Sequence, residues 1–155
     1  MSKSLKRVKA ALAALGHADD VIEVANARTA KEAAEALGCE VGQIANSILL
    51  LGARSGRVKL FLTSGAQRVD LDLASLCAGE PLIKADAGTI RAQSGFAIGG
   101  VAPIGHLTKI ACWTDRSLLD YDIVFAAAGT PQHLFGISPA DLMRISSSQP
   151  ADFIE

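Results

Sequence analysis

The chain contains 155 residues, half of which are hydrophobic, and carries a formal net charge of −1 at pH 7. This length and apolar content predict a single domain over residues 1–155 and exclude a disordered chain. The near-neutral net charge argues against a broad nucleic-acid-binding face, but it is compatible with a local basic patch.

The cysteines and histidines form no pattern typical of a disulfide framework or a metal site. Cys39, Cys77 and Cys112 lie far apart, and their odd number argues against paired disulfides. We therefore expect no metal and no cofactor, with reduced thiols in a cytoplasmic protein. No apolar run reaches the length of a membrane span, and the short stretch Ala11–Leu15 predicts an amphipathic helix rather than a targeting peptide.

The first 63 residues predict two helices and three strands. Apolar side chains at three- and four-residue spacing predict a helix over about 4–15, with Ser4 as its cap and Gly16 as its stop. Thr29 and Glu32 match a capping box, which predicts a second helix that ends at Gly38. The predicted strands are Val21–Val24, Ser47–Leu51 and Val58–Thr63, and the last two form a hairpin.

The second half of the chain predicts further short helices and strands. Asp70 and Asp86 are expected to cap helices over 71–77 and 87–93, and Ser138 with Pro139 begins a last helix. The other predicted elements are strands at 109–113, 123–127 and 134–137, a helical turn at 115–119 and a frayed polar tail at 146–150. The irregular order and the hairpin favour an α+β (mixed α/β) fold, with a mixed sheet and helices packed around it.

The stretch from Ser94 to His106, here called the glycine-rich loop, contains four glycines and one proline among apolar residues. Glycine and proline disfavour both helix and ordinary strand, so the stretch predicts a loop. Two interpretations stay open: a backbone that approaches a ligand closely, or a tightly packed corner. In the first, the N–H groups of Gly99 and Gly100 could stabilise an oxyanion.

Other polar residues also have two interpretations each. Asn46 and Ser47 stand at the start of an apolar strand, either as turn residues or as hydrogen-bonding groups beside a pocket. His133 and His106 are either packed structural residues or functional ones. Spacing alone indicates no catalytic triad and no carboxylate pair.

The order of these segments resembles the YbaK family of free-standing aminoacyl-tRNA deacylases, which is related to the editing domain inserted in bacterial prolyl-tRNA synthetase. The similarity covers about residues 5–146, and the matching segments are 29–38, 43–50, 94–105, 129–133 and 138–142. The resemblance implies a curved, mixed and largely antiparallel sheet surrounded by short helices. It also implies metal-free hydrolysis of the ester that joins a wrong amino acid to the tRNA 3′ end.

The resemblance assigns catalytic roles to Gly99 and Gly100, which would stabilise the oxyanion, and to His133, which would bind the aminoacyl group or orient water. Asn46 and Ser47 would orient the substrate or the terminal ribose. Substrate contacts are expected from Ser47, Ser94, Gly95, Phe96 and Gly129.

The chain departs from the family pattern at Asn46, where members often carry a lysine followed by Thr or Ser. An ammonium would bind phosphate or stabilise negative charge, whereas an amide donates a hydrogen bond without a charge. This departure implies either a different placement of the ester or binding without efficient hydrolysis. From the order of the matching segments we expect a trans-editing hydrolase for mischarged tRNA, such as tRNA(Pro) or another tRNA that carries a small wrong amino acid. The alternatives are a non-catalytic module that binds aminoacyl-tRNA or a nucleotide, and an unrelated small-molecule hydrolase.

The implied partners are the tRNA 3′ end and an aminoacyl-tRNA synthetase, and no membrane association is expected. The sequence leaves open whether the protein is a monomer or a homodimer. Two basic clusters are candidates for phosphate contacts, with a solvated surface as the alternative for each. They are Lys3, Lys6, Arg7 and Lys9 on the first helix, and Arg54, Arg57 and Lys59 on the hairpin.

Overall fold

A computed structural model describes residues 2–17, 20–25 and 27–155, which form five short helices and eight strands. The helices are α1 (Lys3–Ala14), α2 (Ala30–Leu37), α3 (Leu71–Ala78), α4 (Ala87–Ser94) and α5 (Pro139–Ser146). The strands are β1 (Val21–Glu23), β2 (Ile44–Gly52), β3 (Val58–Ser64), β4 (Leu82–Lys84), β5 (Ala111–Asp115), β6 (Val124–Ala127), β7 (His133–Ile137) and β8 (Gln149–Ala151).

Within the described residues, all eight strands belong to one mixed sheet in the order β1-β7-β6-β2-β3-β5-β8, with β4 beside the end of β2. Four pairings are antiparallel, namely β1 with β7, β6 with β7, β2 with β3, and β2 with β4. Three are parallel, namely β2 with β6, β3 with β5, and β5 with β8. The expected α+β fold with a mixed, largely antiparallel sheet and short helices is therefore confirmed.

Side-chain caps start the helices, because the first backbone N–H groups of a helix have no partner within it. The predicted caps Thr29, Asp70, Asp86 and Ser138 each accept a hydrogen bond from the N–H three residues later. The first helix differs from its prediction. It begins at Lys3, and the Oγ of Ser2, not that of Ser4, accepts the Leu5 N–H at 3.0 Å.

The chain end also differs from its prediction. Residues 146–150 are expected to fray, but β8 pairs in parallel with β5, and Phe153 beyond it is fully buried. The Phe153 ring meets the Phe61 ring edge-on, with 5.0 Å between the centroids. A free sheet edge and an apolar neighbour order this polar segment, and neither can be read from the segment itself. The short strand β4 was also missed.

The main hydrophobic core lies between the sheet and the elements that cover it. Its fully buried members include Leu12 of α1, Leu60 and Leu62 of β3, Phe135 of β7, and Phe96 of the glycine-rich loop. The glycine-rich loop is thus anchored in the core. No helix among the described residues is both long and apolar enough to cross a membrane.

The strand β2 has an interrupted edge that positions the candidate site. On one side it pairs with β3 over residues 45–51, but on the other it pairs with β6 only at 44–45 and with β4 at 50–52. Residues 46–49 therefore have no strand partner on that side among the described residues. The glycine-rich loop reaches this gap, where the Ser47 Oγ donates a hydrogen bond to the Val101 carbonyl at 2.7 Å.

Candidate functional site

A cavity of about 110 Å³ lies where four segments meet. Its walls come from the start of α2, the start of β2, the glycine-rich loop, and residues 129–133, here called the late turn. The polar or charged residues that line it are Arg28, Thr29, Asn46, Ser47 and Thr130. The apolar part of the wall consists mainly of small residues, including Ala27, Ala30, Ala33 and Ala127.

Asn46 and Ser47 both line the cavity, from within β2 rather than from a turn before it. The Ser47 hydroxyl donates to the Val101 carbonyl, so its lone pairs stay available to accept a hydrogen bond. The Asn46 side chain makes no hydrogen bond within the described part of the chain. Its amide therefore offers a ligand two donor hydrogens and a carbonyl oxygen.

The two central glycines of the loop have different surroundings. Gly99 lines the cavity with a φ of +89°, and its N–H has no hydrogen-bond partner among the described residues. Gly100 is buried, and its N–H donates to the Ala97 carbonyl at 3.1 Å. A Cβ added at Gly100 would lie 2.7 Å from the Cα of Thr130. Gly100 thus lets two backbones pack closely, and in this structure it has no free N–H for the predicted oxyanion role.

Three other predicted substrate contacts lie outside the cavity. Ser94 is buried, donates to the Ile90 carbonyl at 2.6 Å and accepts from the Phe96 N–H at 3.1 Å. Phe96 is fully buried, and Gly95 ends α4 in the left-handed conformation. These residues shape the base of the loop, and none of the three lines the cavity.

Arg7 holds the two ends of the glycine-rich loop together. Its Nε donates to the Gly105 carbonyl at 2.8 Å, and its Nη2 donates to the Gly95 carbonyl at 2.7 Å. Its guanidinium also lies 4.3 Å from the centroid of the Phe96 ring, which is cation–π distance. The sequence left Arg7 open as a candidate phosphate contact or a solvated surface residue, whereas in the structure its guanidinium bonds to the protein's own backbone.

The late turn contributes Thr130 and Pro131 to the cavity rather than its predicted residues. Gly129 is buried with a φ of +98°, and a Cβ there would lie 2.8 Å from the Ser4 carbonyl oxygen. His133 lines a neighbouring groove, where its Nδ1 lies 2.6 Å from the Thr130 Oγ1. Thr130 lines both that groove and the cavity. His133 does not line the cavity but contacts Thr130, a lining residue that sequence reasoning missed although it lies within the matching segment.

The cavity carries very little charge. Among the described residues that line it, Arg28 is the only charged one, and no carboxylate, imidazole or thiol joins it. Nor does the described part of the chain contain a group of three or more His, Cys, Asp or Glu residues that could hold a metal. The cavity therefore offers neutral hydrogen-bonding groups and one cation.

The hairpin cluster lies away from this cavity. Arg54 follows the end of β2 opposite to Asn46, about 20 Å along the strand. The Arg57 guanidinium donates to the Lys109 carbonyl at 2.9 Å, and the Lys59 ammonium lies 3.8 Å from a Glu80 carboxylate oxygen. Two of its three cations thus have partners within the protein.

Comparison with known proteins gives concordant results. The model of a family described as "Aminoacyl-tRNA editing domain" matches residues 24–145. The uncharacterized protein YwhH of Bacillus subtilis is 27% identical over 147 residues, which cover 94% of this chain and 93% of YwhH. An Enterococcus faecalis protein named "Putative Cys-tRNA(Pro)/Cys-tRNA(Cys) deacylase EbsC" is 23% identical over 80% of this chain and 76% of its own.

A solved structure is also similar over the full length. The crystal structure of "a putative trans-editing enzyme for prolyl tRNA synthetase" superimposes with a TM-score of 0.93 at 44% identity. The superposition covers 100% of this chain and 99% of that one. The fold and the order of its segments are therefore shared with that protein.

Proposed function

This chain belongs to the aminoacyl-tRNA editing domain family, and from that membership we propose that it is a trans-editing hydrolase that deacylates mischarged tRNA. The observation that carries the proposal is the convergence of Asn46, Ser47 and Gly99 on one cavity. These residues come from two segments of the chain that the family resemblance singles out.

The size and lining of the cavity support a small aminoacyl group. Its volume of about 110 Å³ is several times the roughly 10–15 Å³ that a cavity needs to hold one water molecule. Alanines at positions 27, 30, 33 and 127 form much of the apolar wall. A small wrong amino acid on tRNA(Pro), or on another tRNA, matches this space.

The chemistry that we assign is hydrolysis of a carboxylic ester. Water attacks the ester carbonyl carbon, the carbonyl oxygen takes the negative charge, and the bond to the ribose oxygen then breaks. The proton lost by the water ends on that ribose oxygen, so the products are the free amino acid and a tRNA 3′ hydroxyl. As the family resemblance implies, a hydroxyl of the substrate or a bound water relays the proton in this proposal.

Asn46 and Gly99 supply the donors for the oxyanion in this proposal. Asn46 and Gly99 both line the cavity, and neither the Asn46 amide nor the Gly99 N–H has a hydrogen-bond partner among the described residues. Fixed donors aimed at developing charge typically account for about a 100-fold change in kcat each. Ser47 and Thr130 are assigned to substrate orientation, and His133 holds Thr130 at 2.6 Å.

The test is hydrolysis of a panel of mischarged tRNAs, including tRNA(Pro) charged with Ala, Cys or Ser. We expect the purified protein to deacylate at least one of them, and Asn46→Ala to lower kcat for that substrate about 100-fold. Arg54→Ala, at the other end of β2, serves as the control and should leave kcat unchanged. Failure to deacylate every member at high enzyme concentration would refute the proposed activity.

A second candidate function is a non-catalytic module that binds aminoacyl-tRNA. One observation favours it: an uncharged Asn46 stands where family members often have a lysine, and Arg28 is the only ionisable residue among the described residues of the cavity. Asn46→Lys distinguishes the two functions. An enzyme adapted to the amide should lose deacylation with this variant, whereas a silent binding module would gain it.

A further inference from the structure

We propose that Arg28 binds a phosphate group of the tRNA 3′ end and thereby holds the acylated terminus over the cavity, an inference that rests on the proposed function. Arg28 lies two residues before α2 and is the only charged residue among the described residues that line the cavity. A single exposed cation on otherwise uncharged walls is complementary to a ligand that carries negative charge next to the group that enters the cavity. The end of an aminoacyl-tRNA has such a charge, because the sugar–phosphate backbone that adjoins the aminoacyl ester is anionic.

The Arg28 side chain is available for this contact. The residue is exposed, and within the described part of the chain it makes no hydrogen bond and no ion pair. A guanidinium presents paired donors that match two phosphate oxygens, and it keeps its charge at any physiological pH. Because nothing inside the described protein uses these donors, a ligand does not have to displace an existing partner.

The other cations predicted for tRNA binding are less suited to this task. Arg7 is held by the carbonyls of Gly95 and Gly105. Arg57 donates to the Lys109 carbonyl, and Lys59 faces Glu80. Among the cations of the two predicted basic clusters, none lines the cavity.

This role predicts a specific dependence on the phosphates of the substrate. Neutralising one phosphate of a single strand changes the slope of log affinity against log salt by about 0.7. Arg28→Ala should therefore raise KM for the mischarged tRNA about fivefold, with little change in kcat, and should flatten the salt dependence by about 0.7. The same amino acid esterified to adenosine alone has no phosphate, so its hydrolysis should be unaffected.

The experiment measures kcat and KM of the full chain for both substrates between 50 and 300 mM salt. The variants are Arg28→Ala, Arg28→Lys and the control Arg54→Ala, and far-ultraviolet circular dichroism verifies folding. Arg28→Lys keeps the charge without the paired donors, so we expect it to restore the salt slope but only part of the affinity. Three results would each overturn the proposal. They are an equal rise in KM for aminoacyl-adenosine, an unchanged KM for the mischarged tRNA, and the same rise in KM in Arg54→Ala.

A binding measurement separates this proposal from the deacylase proposal. Uncharged tRNA is titrated against the same variants, and fluorescence anisotropy reports the complex. If no substrate is hydrolysed but Arg28→Ala alone weakens tRNA binding and flattens its salt slope, the phosphate contact stands without the deacylase. If the tRNA does not bind, or if it binds wild type and Arg28→Ala equally, the phosphate contact is refuted.

Discussion

At the scale of single residues, Arg7 shows how a surface cation becomes a structural link. Its two donors reach the carbonyls of Gly95 and Gly105, at the two ends of the glycine-rich loop, and its charge lies over the Phe96 ring. The sequence placed Arg7 correctly on a helix but could not show what its side chain meets. The partners lie 88 and 98 residues away along the chain, so only the fold brings them together.

Arg7→Ala should lower the free energy of unfolding by about 2 kcal/mol, because it removes two charge-assisted hydrogen bonds and a cation–π contact. Arg7→Lys should recover only part of this loss, since an ammonium group cannot reproduce the paired donors of the guanidinium. Urea unfolding of both variants checks the prediction. Lys6 is an exposed neighbour of Arg7 on α1, so Lys6→Ala is the control. An equal free energy of unfolding for the Arg7→Ala and Lys6→Ala proteins would contradict the prediction.

At the scale of elements, the central glycines of the glycine-rich loop differ in their surroundings, and the packed-corner interpretation describes Gly100. Gly99 lines the cavity, whereas Gly100 packs against the backbone of Thr130. The helix caps, by contrast, were predicted almost entirely from sequence. A cap and the N–H that it accepts lie three residues apart, so the signal is local. The loop has no such local rule, because what surrounds each glycine depends on distant segments.

Gly100→Ala should push the loop away from the late turn, because its Cβ would lie 2.7 Å from the Thr130 Cα and within 2.9 Å of the adjoining backbone atoms. We expect a loss of about 2 kcal/mol in stability and a clear loss of deacylation, since the cavity wall moves. Gly56→Ala is the matched control. Gly56 has a φ of +68° in open space, so alanine there adds strain without touching the cavity.

Thermal melting and deacylation at a temperature where both variants are folded check this prediction. If Gly100→Ala keeps full deacylation activity, or if Gly56→Ala loses as much activity as Gly100→Ala, then the close packing of the loop on the late turn has no role in the site.

At the scale of the whole molecule, burial couples one histidine to global stability. His106 ends the glycine-rich loop, and its Nε2 donates to the Ala102 carbonyl at 2.7 Å. Burial lowers the pKa of His106 below its usual value, and the nearby charge of Arg7 lowers it further, although the Ala102 hydrogen bond opposes them. The folded protein therefore holds this imidazole neutral under conditions in which the unfolded chain protonates it.

The free energy of unfolding should fall as the pH drops from 7 to 5. The unfolded chain takes up the His106 proton near pH 6.5, and the folded state takes it up only at lower pH, so acid favours unfolding in this range. Urea titrations at pH 5, 6, 7 and 8 on wild type and His106→Gln test this, because glutamine donates to the same carbonyl without titrating. Equal pH slopes in the two proteins would contradict the prediction.

Two carboxylates have pKa values that are lowered away from that range. Hydrogen bonds from Ser55 lower the pKa of Glu80 to about 2, and those from Thr89 lower the pKa of Asp86. Their contributions are lost only at more acidic pH, below the usual titration of a carboxyl group. His17 and His133 are present in both proteins, so the difference in slope reports on His106 alone.

The sequence by itself determined the short helices, most of their caps, the central hairpin and the mixed character of the sheet, because these features depend on residues close together in the chain. It also placed Asn46, Ser47 and Gly99 among the candidates. Only the tertiary structure decided that these three share a cavity with Arg28 and Thr130, and that Ser94, Gly95 and Phe96 do not line it. The physical reason is that four segments from distant parts of the chain form the walls, and side-chain neighbours across such separations are set by packing rather than by local sequence.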